Sequence, residues 1–144
     1  MFYRIALIIF VGMLITIASA ADESVESRQE KIVHSYVEAF NAHNVEAMLR
    51  MVTDDVQWLT IAGDKIATET DNKEELRLGM ERYFESCSTC KSSLMHVFSS
   101  GERVSALEVA SFETAQGIQK QKSISIYEFS GNLIKRVYYF SVDN

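Results

Sequence analysis

The chain contains no proline, only two cysteines and a single tryptophan. Without proline there is no rigid linker signal, and no repeat or low-complexity tract marks a boundary, so one compact domain is expected. Basic residues are also scarce, with 14 Lys and Arg against 20 Asp and Glu and a formal net charge of −6. No basic stripe offers itself to nucleic acid or to an anionic membrane surface, and neither is expected as a partner. No phosphate-cradling glycine loop and no nucleophile triad is visible. The three histidines, His34, His43 and His96, have no metal-ligand spacing with the cysteines. No metal and no cofactor are therefore expected.

What is present begins with an address. Arg4 gives a positive start, an uncharged apolar run covers residues 5–18, and Ala18-Ser19-Ala20 supplies the small residues that a signal peptidase accepts. Residues 1–20 are read as a signal peptide cleaved after Ala20, residues 21–27 as a flexible polar segment and residues 28–144 as the domain. An uncleaved anchor is the alternative, although the run is marginal for a span of about 20 residues. No later segment is apolar enough to cross a membrane, so the cleaved protein is expected to be secreted or periplasmic, away from the bilayer. Cleavage removes Arg4 and no acid, which leaves the remaining chain one unit more acidic.

Cys87 and Cys90 are spaced C-x-x-C. In an exported chain this spacing reads first as a local disulfide. A thiol oxidoreductase would normally carry the motif after a strand and at the start of a helix, whereas here it follows a helix and precedes a strand. A zinc site would need two further ligands.

Along the chain, Ile32, Val33, Tyr36, Val37 and Phe40 recur at helical spacing and predict a helix over 27–42. Asn44 caps a second helix that buries Val45, Met48, Leu49 and Val52 and is ended by Thr53, Asp54 and Asp55. A strand is expected over 56–61, then a loop with at most a short strand. A third helix is capped by Asn72 with Glu75 in capping-box spacing. Gly79 inside that helix suggests a close approach to the sheet. Beyond Cys90 the period changes to two, giving strands over 92–99, 104–114, 120–129 and 133–142 separated by short turns. Three helices followed by a meander of long strands read as α+β, with the helices covering one sheet face.

The pattern Tyr36-Val37-Glu38-Ala39-Phe40-Asn41-Ala42 and the pair Asp54-Asp55 before the first strand resemble the NTF2-like, or SnoaL-like, superfamily. The resemblance spans about Gln29 to Phe140 and implies a curved sheet wrapped with three helices into a cone. Ketosteroid isomerase shares this cone, and its chemistry needs a carboxylate base, a tyrosine and a neutral carboxylic acid. Tyr36 matches the tyrosine, but the base position falls on Thr60 and the acid position on Ser125. Steroid isomerisation by that route is not expected. The superfold itself hosts enzymes, binders and interaction modules.

Alternation predicts which side chains enter the cone. The inward set is Trp58 and Thr60; Ala106, Glu108, Ala110 and Phe112; Ser123, Ser125, Tyr127 and Phe129; and Arg136, Tyr138 and Phe140. Leu107, Val109, Ile124, Ile126, Val137 and Tyr139 fall on the opposite face, apolar enough to suggest a partner. Glu108 and Arg136 then enter the cone together, as a structural ion pair or as a ligand anchor. The leading expectation is a small, partly apolar ligand bound by Tyr36, Trp58, Thr60, Glu108, Tyr127, Arg136 and Tyr138. The alternatives are an isomerase, hydratase or cyclase with Glu108 or His96 as base, and a homodimerising or partner-binding module that uses the outer sheet face.

Overall fold

The computed structural model describes the backbone of residues 18–141 and the side chains of residues 28–140. Of the expected signal peptide only Ala18, Ser19 and Ala20 fall within the described residues, where they open α1 (Ala18–Asn41). The helix thus starts well before residue 27, through the stretch expected to be irregular. No glycine or proline interrupts that stretch, so an established helix propagates back along it. Among the described residues no helix is long and apolar enough to cross a membrane.

The buried face of α1 carries Val33, Tyr36, Val37 and Ala39. Its end is a Schellman motif, in which Asn44 N–H donates to Ala39 O at 2.9 Å and His43 N–H donates to Phe40 O at 2.9 Å. The left-handed position of this motif usually holds glycine but is here His43, with φ 54°. The imidazole offsets the strain by stacking on Phe84, centroids 4.3 Å apart. Asn44 then caps α2 (Val45–Leu49), its Oδ1 accepting from Ala47 N–H at 3.0 Å.

Six strands form one sheet in the order β2-β1-β6-β5-β4-β3, all antiparallel except the β1–β6 pair. They are β1 (Val52–Ala62), β2 (Lys65–Thr70), β3 (Lys91–Ser100), β4 (Arg103–Thr114), β5 (Gly117–Ser130) and β6 (Leu133–Ser141), with α3 (Lys73–Ser86) between β2 and β3. The α+β expectation holds, with helices on the concave face of a curved sheet. Asn72 caps α3 as expected, its Oδ1 accepting from Glu75 N–H at 2.9 Å. The returning Glu75 carboxylate accepts from Asp71 N–H rather than from Asn72.

Three irregularities correct the sequence reading. Thr53, Asp54 and Asp55 do not stop the second helix, which ends at Leu49; they are surplus residues in β1, where Val52 pairs with Ile134 but Gln57 already pairs with Arg136. The bulge keeps both Val52 and Val56 in the core at 1% exposure and turns Asp54 and Asp55 outward. His96, with φ 51°, is the surplus residue of β3 between the Met95–Leu107 and Phe98–Ser105 pairs. Lys135 is the surplus residue of β6, between Glu128–Arg136 and Phe129–Ile134. In β3 and β6 the single inserted residue changes which sequence parity faces inward beyond it, whereas Val52, Val56 and Trp58 of β1 keep one parity across their bulge.

Helices and sheet are tied by specific polar contacts. The Asn41 side-chain amide behaves like a strand partner, accepting from Ser92 N–H at 2.7 Å and donating to Ser92 O at 2.8 Å. Cys87 and Cys90 stand at disulfide distance, Cα atoms 5.5 Å apart, closing the turn from α3 into β3.

Candidate functional site

Between α1, α3 and the concave face of the sheet lies a cavity of about 540 Å³. This falls in the range of roughly 300–1,000 Å³ typical of small-molecule sites. Its walls are largely aromatic, with Tyr36 and Phe40 from α1, Trp58 from β1, Phe112 from β4, Tyr127 from β5 and Tyr139 from β6. Arg82 and Glu69, both exposed, stand at its rim.

The polar centre is Glu108, on the inner face of β4 and only 8% exposed. Ser92 Oγ donates to its Oε1 at 2.5 Å, and the Tyr127 hydroxyl donates to its Oε2 at 3.2 Å. Two hydroxyl donors favour a carboxylate, but no lysine or arginine pairs with it among the described residues. Tyr36 lies edge-on to Tyr127, ring centroids 6.2 Å apart, and its buried hydroxyl has no hydrogen-bond partner among the described residues. Burial first, and then the Glu108 charge, push the Tyr36 hydroxyl well above the ordinary tyrosine range. The Tyr127 hydroxyl is raised further by burial, by Glu108 and by Tyr36, against a smaller lowering by Ser125. Half-buried Tyr139 is raised chiefly by burial, Ser123 pulling the other way. All three rings are therefore neutral hydroxyls near neutral pH. The Tyr127 proton is already donated to Glu108, while the Tyr36 hydroxyl has no acceptor among the described residues.

The structure brings together Tyr36, Trp58, Glu108 and Tyr127 as expected, and separates them from the other candidates. Arg136 and Tyr138 do not enter the cavity, because the Lys135 bulge turns them to the opposite face. There Arg136 Nη1 donates to Glu128 Oε1 at 2.9 Å and its Nε donates to Gln57 Oε1 at 2.8 Å, so the expected Glu108–Arg136 pair does not form. Phe140 follows them outward, while Val137 and Tyr139, expected outside, are the inward residues of β6. His96 is exposed at its bulge and does not line the cavity. Thr60 is half-buried and in register with Tyr139, outside the lining. Ser125 is fully buried, paired with Ala106 on β4, so the inner carboxylate sits two pairs along, at Glu108 opposite Ser123. Asp54 and Asp55 lie away from the cavity, facing Lys73 at 2.7 Å and Lys135 at 3.7 Å.

Ser92 and Tyr139 are functional candidates that alternation alone missed. For Tyr139 a signal existed, since Ile134 and Val137 are apolar at a spacing of three, which breaks strand alternation and marks a bulge. For Ser92 the signal was Leu94, whose inward direction implies that of its neighbour two positions before. Among the described residues no group of His, Cys, Asp and Glu could hold a metal ion.

Solved structures share this architecture at low identity. A cystatin-fold protein from Novosphingobium aromaticivorans superposes with TM-score 0.68 at 18% identity, covering 77% of this chain and 96% of that one. An NTF2-like protein from Burkholderia pseudomallei gives 0.67 at 16%, covering 80% and 91%. An LEH-like epoxide hydrolase of M. tuberculosis gives 0.67 at 8%, covering 81% and 84%. At these identities the likeness is one of fold. No curated protein matches the chain. A family model described as SnoaL-like domain matches residues 33–137, from the buried face of α1 to the inward Val137 of β6, and the chain belongs to that family.

Proposed function

We propose that the protein binds a small, partly apolar molecule in the cavity, with aromatic walls for its body and Glu108, Tyr127 and Tyr36 for its polar end. The observation that carries this reading is the Tyr36 hydroxyl, buried beside a buried carboxylate and without a hydrogen-bond partner among the described residues. An unmade hydrogen bond at such a site costs about 1–3 kcal/mol, which a bound ligand would recover. Native mass spectrometry of the purified protein, after incubation with a mixture of metabolites and lipids, checks it. A retained small molecule that Tyr127→Phe weakens is expected, and a chain that retains nothing overturns the reading.

Catalysis is the second use of the same groups. Glu108 would take a proton and Tyr36 or Tyr127 would hold the developing oxyanion, as in isomerase, hydratase or cyclase chemistry. A turnover that survives Glu108→Gln unchanged would exclude Glu108 as the base.

The outer sheet face supports a further reading, a homodimer. Cross-strand pairing aligns Ile66, Ile61, Phe140, Ile124, Leu107 and Met95 into one apolar row across all six strands. Ile66, Ile124 and Met95 are 69%, 54% and 44% exposed. Such a row can meet its own copy about a two-fold axis. Sedimentation should give a dimer that Ile124→Lys converts to monomer, and a wild-type monomer at high concentration would exclude it. Export with cleavage after Ala20 is part of the same proposal, supported by the cysteine pair at disulfide distance. Intact mass of the secreted chain tests it.

A further inference from the structure

We propose that the ligand of this cavity is a cation, an amine or quaternary ammonium carried on an apolar body. The inference rests on the binding reading above and names its ligand class. Glu108 is a buried carboxylate whose two oxygens are engaged by neutral hydroxyls, from Ser92 and Tyr127, with no basic partner among the described residues. A carboxylate withdrawn from water in this way gains most from a positive charge brought to it. The surroundings suit an organic cation better than a bare ion. Tyr36, Tyr127, Tyr139, Trp58 and Phe112 line the same cavity as the carboxylate, and aromatic faces attract ammonium groups through their quadrupoles. An inorganic cation needs several oxygen ligands, and among the described residues no group of His, Cys, Asp and Glu could supply them. Arg82, the one basic residue of the lining, is exposed at the rim, so it leaves the inner charge uncompensated.

Trp58 makes the test direct, since it is the only tryptophan of the chain and lines the cavity. Its fluorescence is titrated at neutral pH with 4-phenylbutyltrimethylammonium, 4-phenylbutan-1-ol and 4-phenylbutanoate, in wild type and in Glu108→Gln. The ammonium probe is expected to bind at least tenfold more tightly than the alcohol, with the carboxylate weakest. Glu108→Gln should abolish that order while still binding the alcohol. Equal affinities for all three probes, or a preference for the carboxylate, would overturn the cation and leave the binding cavity standing. A preference that persists in Glu108→Gln would overturn Glu108 as its source. If no probe of any charge binds up to millimolar concentration, the cation and the binding reading fall together. Should the variant not fold, the order of the wild-type affinities decides alone.

Discussion

Glu108 and Glu128 sit on neighbouring strands, on opposite faces of the same sheet, and have been given opposite company. Glu128 is 14% exposed in its side chain and accepts from two arginines, Arg103 at 3.1 Å and Arg136 at 2.9 Å. Glu108 is buried at least as deeply and meets only hydroxyls. A fold that needed merely to neutralise a buried carboxylate has shown on its outer face how to do so. The inner face leaves its carboxylate without a basic partner among the described residues and lines the cavity beside it with rings, the contrast on which the proposed cation rests.

The same substitution on the two faces should therefore have opposite signs. Glu128→Gln removes the partner of two arginines. With Arg136 35% and Arg103 61% exposed, the loss is discounted for screening to about 1–2 kcal/mol. Glu108→Gln keeps the shape, lets the amide serve both rotatable hydroxyls and removes a desolvated charge, so stability should stay level or rise by about 1 kcal/mol. Urea denaturation of the two variants side by side measures both, and a loss at Glu108 equal to that at Glu128 would erase the contrast.

Gly79 sharpens the comparison from the helix side. The close approach suggested by this glycine is not what the structure contains. A Cβ there would stand 3.7 Å from Thr70 Cγ2, ordinary contact, yet the residue lines the cavity. Gly79→Ala should raise stability by up to about 1 kcal/mol through helix propensity, while weakening the Trp58-detected binding of the ammonium probe. A variant more stable and equally good at binding would show that the cavity has no use for the space.

The smallest effect concerns the tyrosines. Their folded pKa values lie above the unfolded ones, so this contribution to stability is fully present below the unfolded tyrosine pKa of about 10 and is lost as pH rises through the folded values. Burial is the main cause and Glu108 a lesser one for both Tyr36 and Tyr127. Absorbance titration at alkaline pH should therefore show Glu108→Gln ionising its tyrosines at lower pH than wild type, with Glu128→Gln unchanged. An identical curve for Glu108→Gln would mean that its charge does not reach the rings.

Much of this arrangement was legible in order along the chain. The change from helical to strand period placed every major element, and alternation aimed Glu108 and Tyr127 correctly because β4 and β5 pair regularly through that region. Alternation is a count, however, and it fails wherever one residue is inserted. The error on β6 moved Arg136 into the cavity and Tyr139 out of it, although each residue had been assigned to the right strand. His96 was misjudged for the same reason. The Asp54-Asp55 pair misled differently, since short acidic residues suit a helix stop and a bulge equally well. The cavity itself depends on how far α1 and α3 stand from the sheet, a distance set by packing among residues remote in sequence.

Lys135 carries the longest consequence. The bulge absorbs this extra residue, so that Ile134 before it and Val137 and Tyr139 after it all face inward. Deleting Lys135 would leave Ile134 and Arg136 in regular alternation, with Arg136 still outward and Val137 and Tyr139 still inward. A lineage built on this fold can thus gain or lose a residue at this point of β6 and keep the lining of its cavity, a step that comparisons of residue identity alone would record as a gap.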